Sequence, residues 1–108
     1  MINTIETSKA FLPVESIAYS DGSVVSKMIV KKPTGNITLF AFDKGEGLAE
    51  HSSPHEALVQ VLDGAAEIII GGTPHIVNSG QCIILPSSIP HSLKANEKFK
   101  MMLTMIKS

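Results

Sequence analysis

A chain of 108 residues has the usual size of one domain, and its 44% apolar and 18% charged residues are typical of a folded protein. Nine basic and ten acidic side chains give a net charge of −1, so neither nucleic acid nor an anionic membrane is expected as a partner. One cysteine cannot form an internal disulfide, no stretch approaches 18 apolar residues, and residues 1–10 lack the pattern of a signal peptide, so we expect a cytoplasmic protein.

Residues 1–23 show only weak helical periodicity, so we predict that they form an irregular or extended N-terminal arm rather than a helix. The arm carries five apolar or aromatic side chains that need covering: Phe11, Leu12, Val14, Ile17 and Tyr19. We expect it to pack on the rest of the chain or on a partner subunit. Size also favours a homodimer, because a chain this short buries only about 60 to 70% of its unfolded surface.

From Val24 onward, short β-branched runs alternate with Gly, Pro, Asn and Asp, which predicts many short strands joined by tight turns. The predicted strands are 24–31, 36–42, 56–62, 65–70, 73–78, 81–85, 91–94 and 99–106. These strands are sufficient for one barrel, and the predicted fold class is all-β.

Two junctions predict hairpins. Asp63-Gly64 and Gly71-Gly72 each separate two predicted strands by two residues, and such pairs supply the positive φ angles of type I′ turns. The three strands between residues 56 and 78 are therefore expected to form a meander.

Alternation along the last predicted strand assigns its faces. Phe99, Met101, Leu103 and Met105 share one side, which we expect to line the interior, with Met101 among the pocket residues. Methionines at this spacing usually fill a core rather than bind metal. Cys82, in an apolar run, is expected to be a small buried side chain rather than a nucleophile.

Residues 45–64 contain two histidines in a distinctive pattern, Gly-Glu-Gly-Leu-Ala-Glu-His-Ser-Ser-Pro-His-Glu-Ala-Leu-Val-Gln-Val-Leu-Asp-Gly. This segment resembles the first motif of the cupin superfamily, which reads Gly, five residues, His-x-His, three or four residues, Glu, six residues, Gly. His51 matches the first histidine of that motif. Ser53 stands at the position of the second histidine, and Ala57 at the position of the glutamate.

The second cupin motif has a matching framework at Gly80, Pro86 and His91, although Ser88 and Ala95 replace its second Gly and its Asn. The likeness to short single-domain bacterial cupins runs from about residue 36 to residue 107, about two thirds of the chain. It implies a double-stranded β-helix, or jelly roll, over residues 24–108, with a pocket between its sheets. It also implies that homodimers are common, often through N-terminal strands laid on a neighbour.

The resemblance implies a divalent metal bound by three histidines and a glutamate, of which this chain keeps His51 and His91. His55 and Glu56 are candidates for a third ligand. On a regular strand His55 would lie about 13 Å from His51, which is awkward for one ion. Pro54, which cannot join a strand ladder, could kink the chain and shorten that distance. His75 follows a Gly-Gly turn and is expected to be exposed to solvent.

Three functions are compatible with these residues. The first is a barrel that binds a small polar ligand, with or without Zn, Ni, Mn or Fe, through His51 and His91, with Ser53 and Met101 also in the pocket. The second is a metal-dependent oxygenase or isomerase with a reduced ligand set, or a metal-free variant with His91 as general acid or base. The third is a non-catalytic dimeric ligand sensor. Whether the chain is an enzyme stays open at this point.

Overall fold

The computed structural model describes residues 5–107, which form nine strands and one short 3-10 helix, Pro13–Glu15. The strands are β1 (Val24–Lys32), β2 (Gly35–Phe42), β3 (Gly47–His51), β4 (Glu56–Asp63), β5 (Ala65–Ile70), β6 (Thr73–Asn78), β7 (Cys82–Leu85), β8 (His91–Lys94) and β9 (Phe99–Ile106). The all-β prediction is confirmed, and each predicted strand lies within one residue of the observed limits.

One strand, β3, was not predicted. Its sequence, Gly-Leu-Ala-Glu-His, contains no β-branched or aromatic residue except its final imidazole, and only Leu48 is partly buried. The strand exists because it pairs with β8 at the edge of a sheet, with Leu48 opposite Leu93.

The strands form two antiparallel sheets that enclose one apolar core, which confirms the jelly-roll prediction. The large sheet has the order β1-β2-β9-β4-β7 and the small sheet β3-β8-β5-β6. The rings of Phe42 and Phe99, both fully buried, stack with their centroids 4.5 Å apart. Other buried members of the core are Val59, Val61, Ile68 and Met101. The inward face predicted for β9 is thus confirmed at Phe99 and Met101.

Only one of the two predicted hairpins exists. Ile70 lies opposite Thr73 around Gly71-Gly72, as predicted. The prediction of a hairpin at Asp63-Gly64 is wrong, because β4 belongs to the large sheet and β5 to the small one. Gly64, with φ of +73°, turns the chain from one sheet to the other, and a Cβ there would overlap the carbonyl oxygen of Lys98. The predicted meander is therefore a corner followed by a hairpin.

The described part of the N-terminal arm packs on the outer face of the large sheet. Ile17 is buried against Leu39 and Ala41, whose side chains point away from the main core. The hydroxyl of Tyr19 donates a hydrogen bond of 2.6 Å to the carboxylate of Asp63. The ammonium groups of two lysines, Lys98 and Lys100, lie 4.8 and 5.0 Å from the centroid of the Tyr19 ring. The boundary at residue 23 and any contact of the arm with a second copy stay predictions.

Cys82 is exposed, so its predicted burial is wrong. β7 is an edge strand in which Ile83 and Leu85 pack inward, and alternation therefore turns Cys82 and Ile84 outward. Between residues 5 and 107, no helix is long and apolar enough to cross a membrane.

Candidate functional site

The structure brings His51 and His91 together. They stand opposite each other at the end of β3 and the start of β8, with ring centroids 4.4 Å apart and planes at 68°. His91 is buried, with 7% of its surface exposed, whereas His51 is exposed. One ring of the pair is therefore enclosed by the protein and the other faces solvent.

An irregularity in β3 creates this pair. Leu48 lies opposite Leu93, and His51 lies opposite His91, so three steps along β3 match two steps along β8. With regular pairing, Glu50 would face His91, because side chains on one face recur every second residue. The extra residue, a β-bulge, replaces that carboxylate with an imidazole.

Backbone carbonyls fix the orientation of both rings. Nδ1 of His51 lies 2.9 Å from the carbonyl oxygen of Ala49, and Nδ1 of His91 lies 3.3 Å from that of Ile89. A carbonyl oxygen only accepts, so in each neutral ring Nδ1 carries the proton and Nε2 keeps its lone pair. Each histidine therefore offers Nε2 as a metal ligand or hydrogen-bond acceptor. Sequence reasoning missed Ala49 and Ile89, because a backbone carbonyl leaves no signal in side-chain identity.

The pKa of His91 lies below its ordinary value of 6.5. Burial is the main cause, because it disfavours the charged ring, and the neighbouring His51 adds like-charge repulsion. The hydrogen bond to the Ile89 carbonyl acts in the opposite direction. His91 is therefore neutral near pH 7, with its Nε2 able to accept.

Ser53, at the position of the second motif histidine, connects two loops. Its hydroxyl accepts a hydrogen bond of 3.1 Å from the backbone N–H of His55, and its carbonyl accepts one of 2.6 Å from the N–H of Ser88. Ser88 keeps the left-handed backbone for which the motif uses glycine, with φ of +64°. The hydroxyl oxygen and the carbonyl oxygen of Ser53 thus each accept a hydrogen bond within the protein.

Ala57, at the position of the motif glutamate, is buried in the core opposite Leu85 and Met105. It has no side-chain atom that could bind a metal ion. Met101 is also a buried core residue, between Phe40 and Val61 of the neighbouring strands. Its contact with a ligand stays a prediction.

His55 lies in a different place from the histidine pair. It is half-buried and lines a cavity of about 230 Å³ together with Pro54, Glu56, Ser87 and Ile106. In the part of the chain that the structure describes, no group of three His, Cys, Asp or Glu side chains could hold a metal ion. The four-ligand set that the motif implies is therefore not reproduced by these residues, and two imidazoles are what remains of it. His75 is exposed, as predicted.

The structure is a jelly-roll barrel: two antiparallel sheets close around an apolar core, and a histidine pair lies between strands β3 and β8. A sequence model of the cupin domain matches residues 38–107. This chain belongs to the cupin family.

Solved structures agree with this assignment. A conserved protein of unknown function from Streptococcus pyogenes is 37% identical over 99% of this chain and 94% of its own, with a TM-score of 0.92. A cupin 2 conserved barrel domain protein from Leptotrichia buccalis is 42% identical over 87% of this chain and 46% of its own, with a TM-score of 0.84.

A more distant likeness shows the shared fold alone. Salicylate 1,2-dioxygenase from Pseudoaminobacter salicylatoxidans, in complex with gentisate, is 20% identical over 77% of this chain and 25% of its own, with a TM-score of 0.71. A comparison with curated proteins gave no match.

Proposed function

We propose that this chain is a small-molecule-binding cupin whose ligand is held by His51 and His91. The observation that carries this proposal is the paired imidazoles, each with Nδ1 engaged by a backbone carbonyl and Nε2 left to interact with a ligand. Because His51 is exposed, we expect the ligand to approach from solvent on its side and to reach the buried His91 beside it. Nitrogens that accept in this way suit a polar ligand that presents hydroxyl or N–H donors.

A divalent ion is the second candidate for the same two nitrogens. Imidazole nitrogen binds Zn, Ni, Mn and Fe, and such an ion would supply open coordination positions to a substrate. Catalytic sites of this kind generally use three protein ligands, and here Ser53 and Ala57 do not complete the set. We therefore expect metal to be held more weakly than in a complete cupin site. For the same reason, a metal-dependent oxygenase or isomerase ranks below ligand binding.

A non-catalytic sensor is consistent with the same site, because ligand binding alone is enough for that role. The likeness to a barrel that was solved with gentisate supports a small molecule as the ligand class. Homodimer formation and a cytoplasmic location are part of this proposal, with the near-neutral charge and the single cysteine as support.

The test combines ligand and metal titrations with matched histidine variants. Thermal unfolding of the wild type, His51→Ala and His75→Ala is followed in the presence of small polyols, amino sugars and hydroxy acids, and separately with each divalent chloride. His51 and His75 are both exposed histidines, so the two variants compare loss of the site with loss of an unrelated imidazole.

A ligand at ten times its Kd adds about 1.4 kcal/mol, which raises the Tm of a domain of this size by about 6 °C. We expect such a shift in the wild type and His75→Ala, and its loss in His51→Ala. A shift of equal size in His51→Ala and in a His51→Ala, His91→Ala double variant would show that the ligand binds elsewhere. If only metal chlorides give the histidine-dependent shift, the metal is the primary ligand.

A further inference from the structure

The chain connections show which part of the large sheet lies beside the histidine pair. β3 ends at His51, and a short connection leads from it to the start of β4. Another short connection leads from the end of β7 to His91, at the start of β8. The start of β4 and the end of β7 are therefore at the same end of the barrel as the two rings. Ala57 of β4 lies there, and Met105 of β9 lies opposite it.

The inward-facing side chains become less buried toward this end of the barrel. On β9, Phe99 and Met101 are buried, whereas Leu103 and Met105 of the same face are only partly buried. Phe40 of β2, which packs against the same core, is also only partly buried. We call Phe40, Leu103 and Met105 the mouth residues. They offer apolar surface to a molecule that reaches the histidine pair from solvent.

The large sheet also contributes a buried hydroxyl at this end. Thr38 of β2 is 8% exposed and lies opposite Leu103, so it shares the inward face. Its hydroxyl donates a hydrogen bond of 3.3 Å to Sδ of Met28, and a thioether is a weak acceptor. A hydroxyl oxygen has two lone pairs, so Thr38 can accept a hydrogen bond from a ligand while it donates to sulfur.

The charges around the site do not suit an anionic ligand. In residues 5–107, Thr38 and His91 are the only buried residues with polar or charged side chains. The chain contains no arginine, the residue that best matches the geometry of a carboxylate or phosphate. Lys31, whose register partner is on the inward face, is exposed at the end of the edge strand β1. Glu50, which precedes the exposed histidine of the pair, has the same sign as such a ligand.

The apolar surface of the mouth suits an aromatic ring. Phe40 can stack on such a ring, as it does on Phe42 with centroids 6.0 Å apart. Met105 and Met28 add two flexible thioethers on the inward face, and sulfur makes favourable contacts with aromatic rings.

We propose that the ligand of the histidine pair is an uncharged phenol, an aromatic ring that carries hydroxyl groups and no carboxylate or phosphate. One hydroxyl donates to Nε2 of His51 or His91, and the ring packs on the mouth residues. Thr38 is the acceptor for a second hydroxyl. This inference rests on the proposed function and names the chemical class of its ligand.

The first test compares resorcinol with 3-hydroxybenzoate, in which a carboxylate replaces one hydroxyl. NMR titration of wild-type protein with labelled methionine methyl groups and imidazoles gives both the affinity and the place of binding. Resorcinol should shift the signals of His51, His91 and Met105. Met102 is the control, because it packs against the outer cluster on the other face of β9. We expect resorcinol to bind about 100-fold more tightly than 3-hydroxybenzoate, because the carboxylate loses its hydration without gaining a buried cation.

A matched pair of lysine variants tests the same selectivity in the opposite direction. Lysine is unbranched like methionine, so Met105→Lys places an ammonium group at the mouth. It should bind 3-hydroxybenzoate more tightly than resorcinol, which reverses the order found in the wild type. Met102→Lys, on the outer face of the same strand, should keep the wild-type order. Thr38→Val removes the hydroxyl and should weaken resorcinol binding about fivefold. Circular dichroism checks that the variants keep their strands.

Three results on the wild type would overturn the proposal, whether or not Met105→Lys folds. One is 3-hydroxybenzoate binding as tightly as resorcinol. The second is resorcinol shifting Met102 and leaving Met105 unchanged. The third is no shift by resorcinol up to its solubility limit. If 3-hydroxybenzoate binds and His51→Ala abolishes that binding, the proposed function stands and only the ligand class is wrong. If His51→Ala binds resorcinol as the wild type does, the proposed function is wrong as well.

Discussion

Replacing Gly64 by alanine should destabilise the protein far more than the same change at Gly22. Both glycines have a left-handed backbone, with φ of +73° and +64°. An L-residue there costs about 1 to 2 kcal/mol, and alanine recovers about 0.4 to 1 kcal/mol by restricting the unfolded chain. At Gly22 nothing lies within 4 Å of an added Cβ, so we expect a net loss of about 1 kcal/mol or less.

At Gly64 the added carbon meets the backbone of the corner. It would overlap the carbonyl oxygen of Lys98 and lie 3.2 Å from both Cα and Cβ of the fully buried Phe99. Relieving such an overlap by shifting backbone typically costs about 1 to 3 kcal/mol more. Urea unfolding of both variants, followed by far-UV circular dichroism, should therefore show Gly64→Ala less stable than Gly22→Ala by about 2 kcal/mol. Equal losses of stability in the two variants would contradict the close approach of Gly64 to the backbone of Lys98 and Phe99.

Three further changes test other parts of the structure. The pKa of His91 is lowered in the folded state, so the unfolded chain binds more protons than the folded chain. The contribution of His91 to the free energy of unfolding should therefore be fully present above about pH 6.5 and should be lost as the pH drops through the folded pKa. NMR titration should show the pKa of His91 rising in His51→Ala, and His91→Gln should flatten this part of the pH dependence of stability. Ser88→Gly should raise the free energy of unfolding by about 0.5 to 1 kcal/mol, because glycine adopts the left-handed backbone of this position without the strain that serine has there. An unchanged midpoint of urea unfolding would contradict this expectation. Tyr19→Phe should lose about 1 kcal/mol with the hydrogen bond to Asp63, and a double-mutant cycle with Asp63→Ala should give a coupling energy of that size rather than additivity.

Much of the fold could be predicted because β-branched runs and turn residues are local signals. The hairpin at Gly71-Gly72 has both its turn and its pairing within a few residues. The Asp63-Gly64 junction has the same local pattern, yet its partner strands are chosen by distant contacts: β4 pairs with β7 and β9, and β5 with β6 and β8. A dipeptide favours a turn, but it does not specify which sheet receives the next strand.

The site shows the same division between local and distant causes. The positions of His51 and His91 in the two motifs predicted their importance, and the structure places them side by side. Their contact depends on a bulge between Leu48 and His51, which follows from the pairing of β3 with β8 and has no local sequence signal. The exposure of Cys82 is similar, because only the position of β7 at an edge shows which side of that strand faces solvent.

The position of β9 has a consequence for how this chain acquires its structure. The last strand, Phe99–Ile106, lies between β2 and β4 and pairs with both along their whole length. During synthesis these two strands emerge long before the segment that joins them, so the large sheet stays open until residues 99–106 have left the ribosome. Pairings this distant in sequence make folding slow and leave strand edges exposed while it proceeds. A nascent chain that lacks residues 99–106 should therefore depend on chaperones, and C-terminal truncation should produce aggregation rather than a smaller folded barrel.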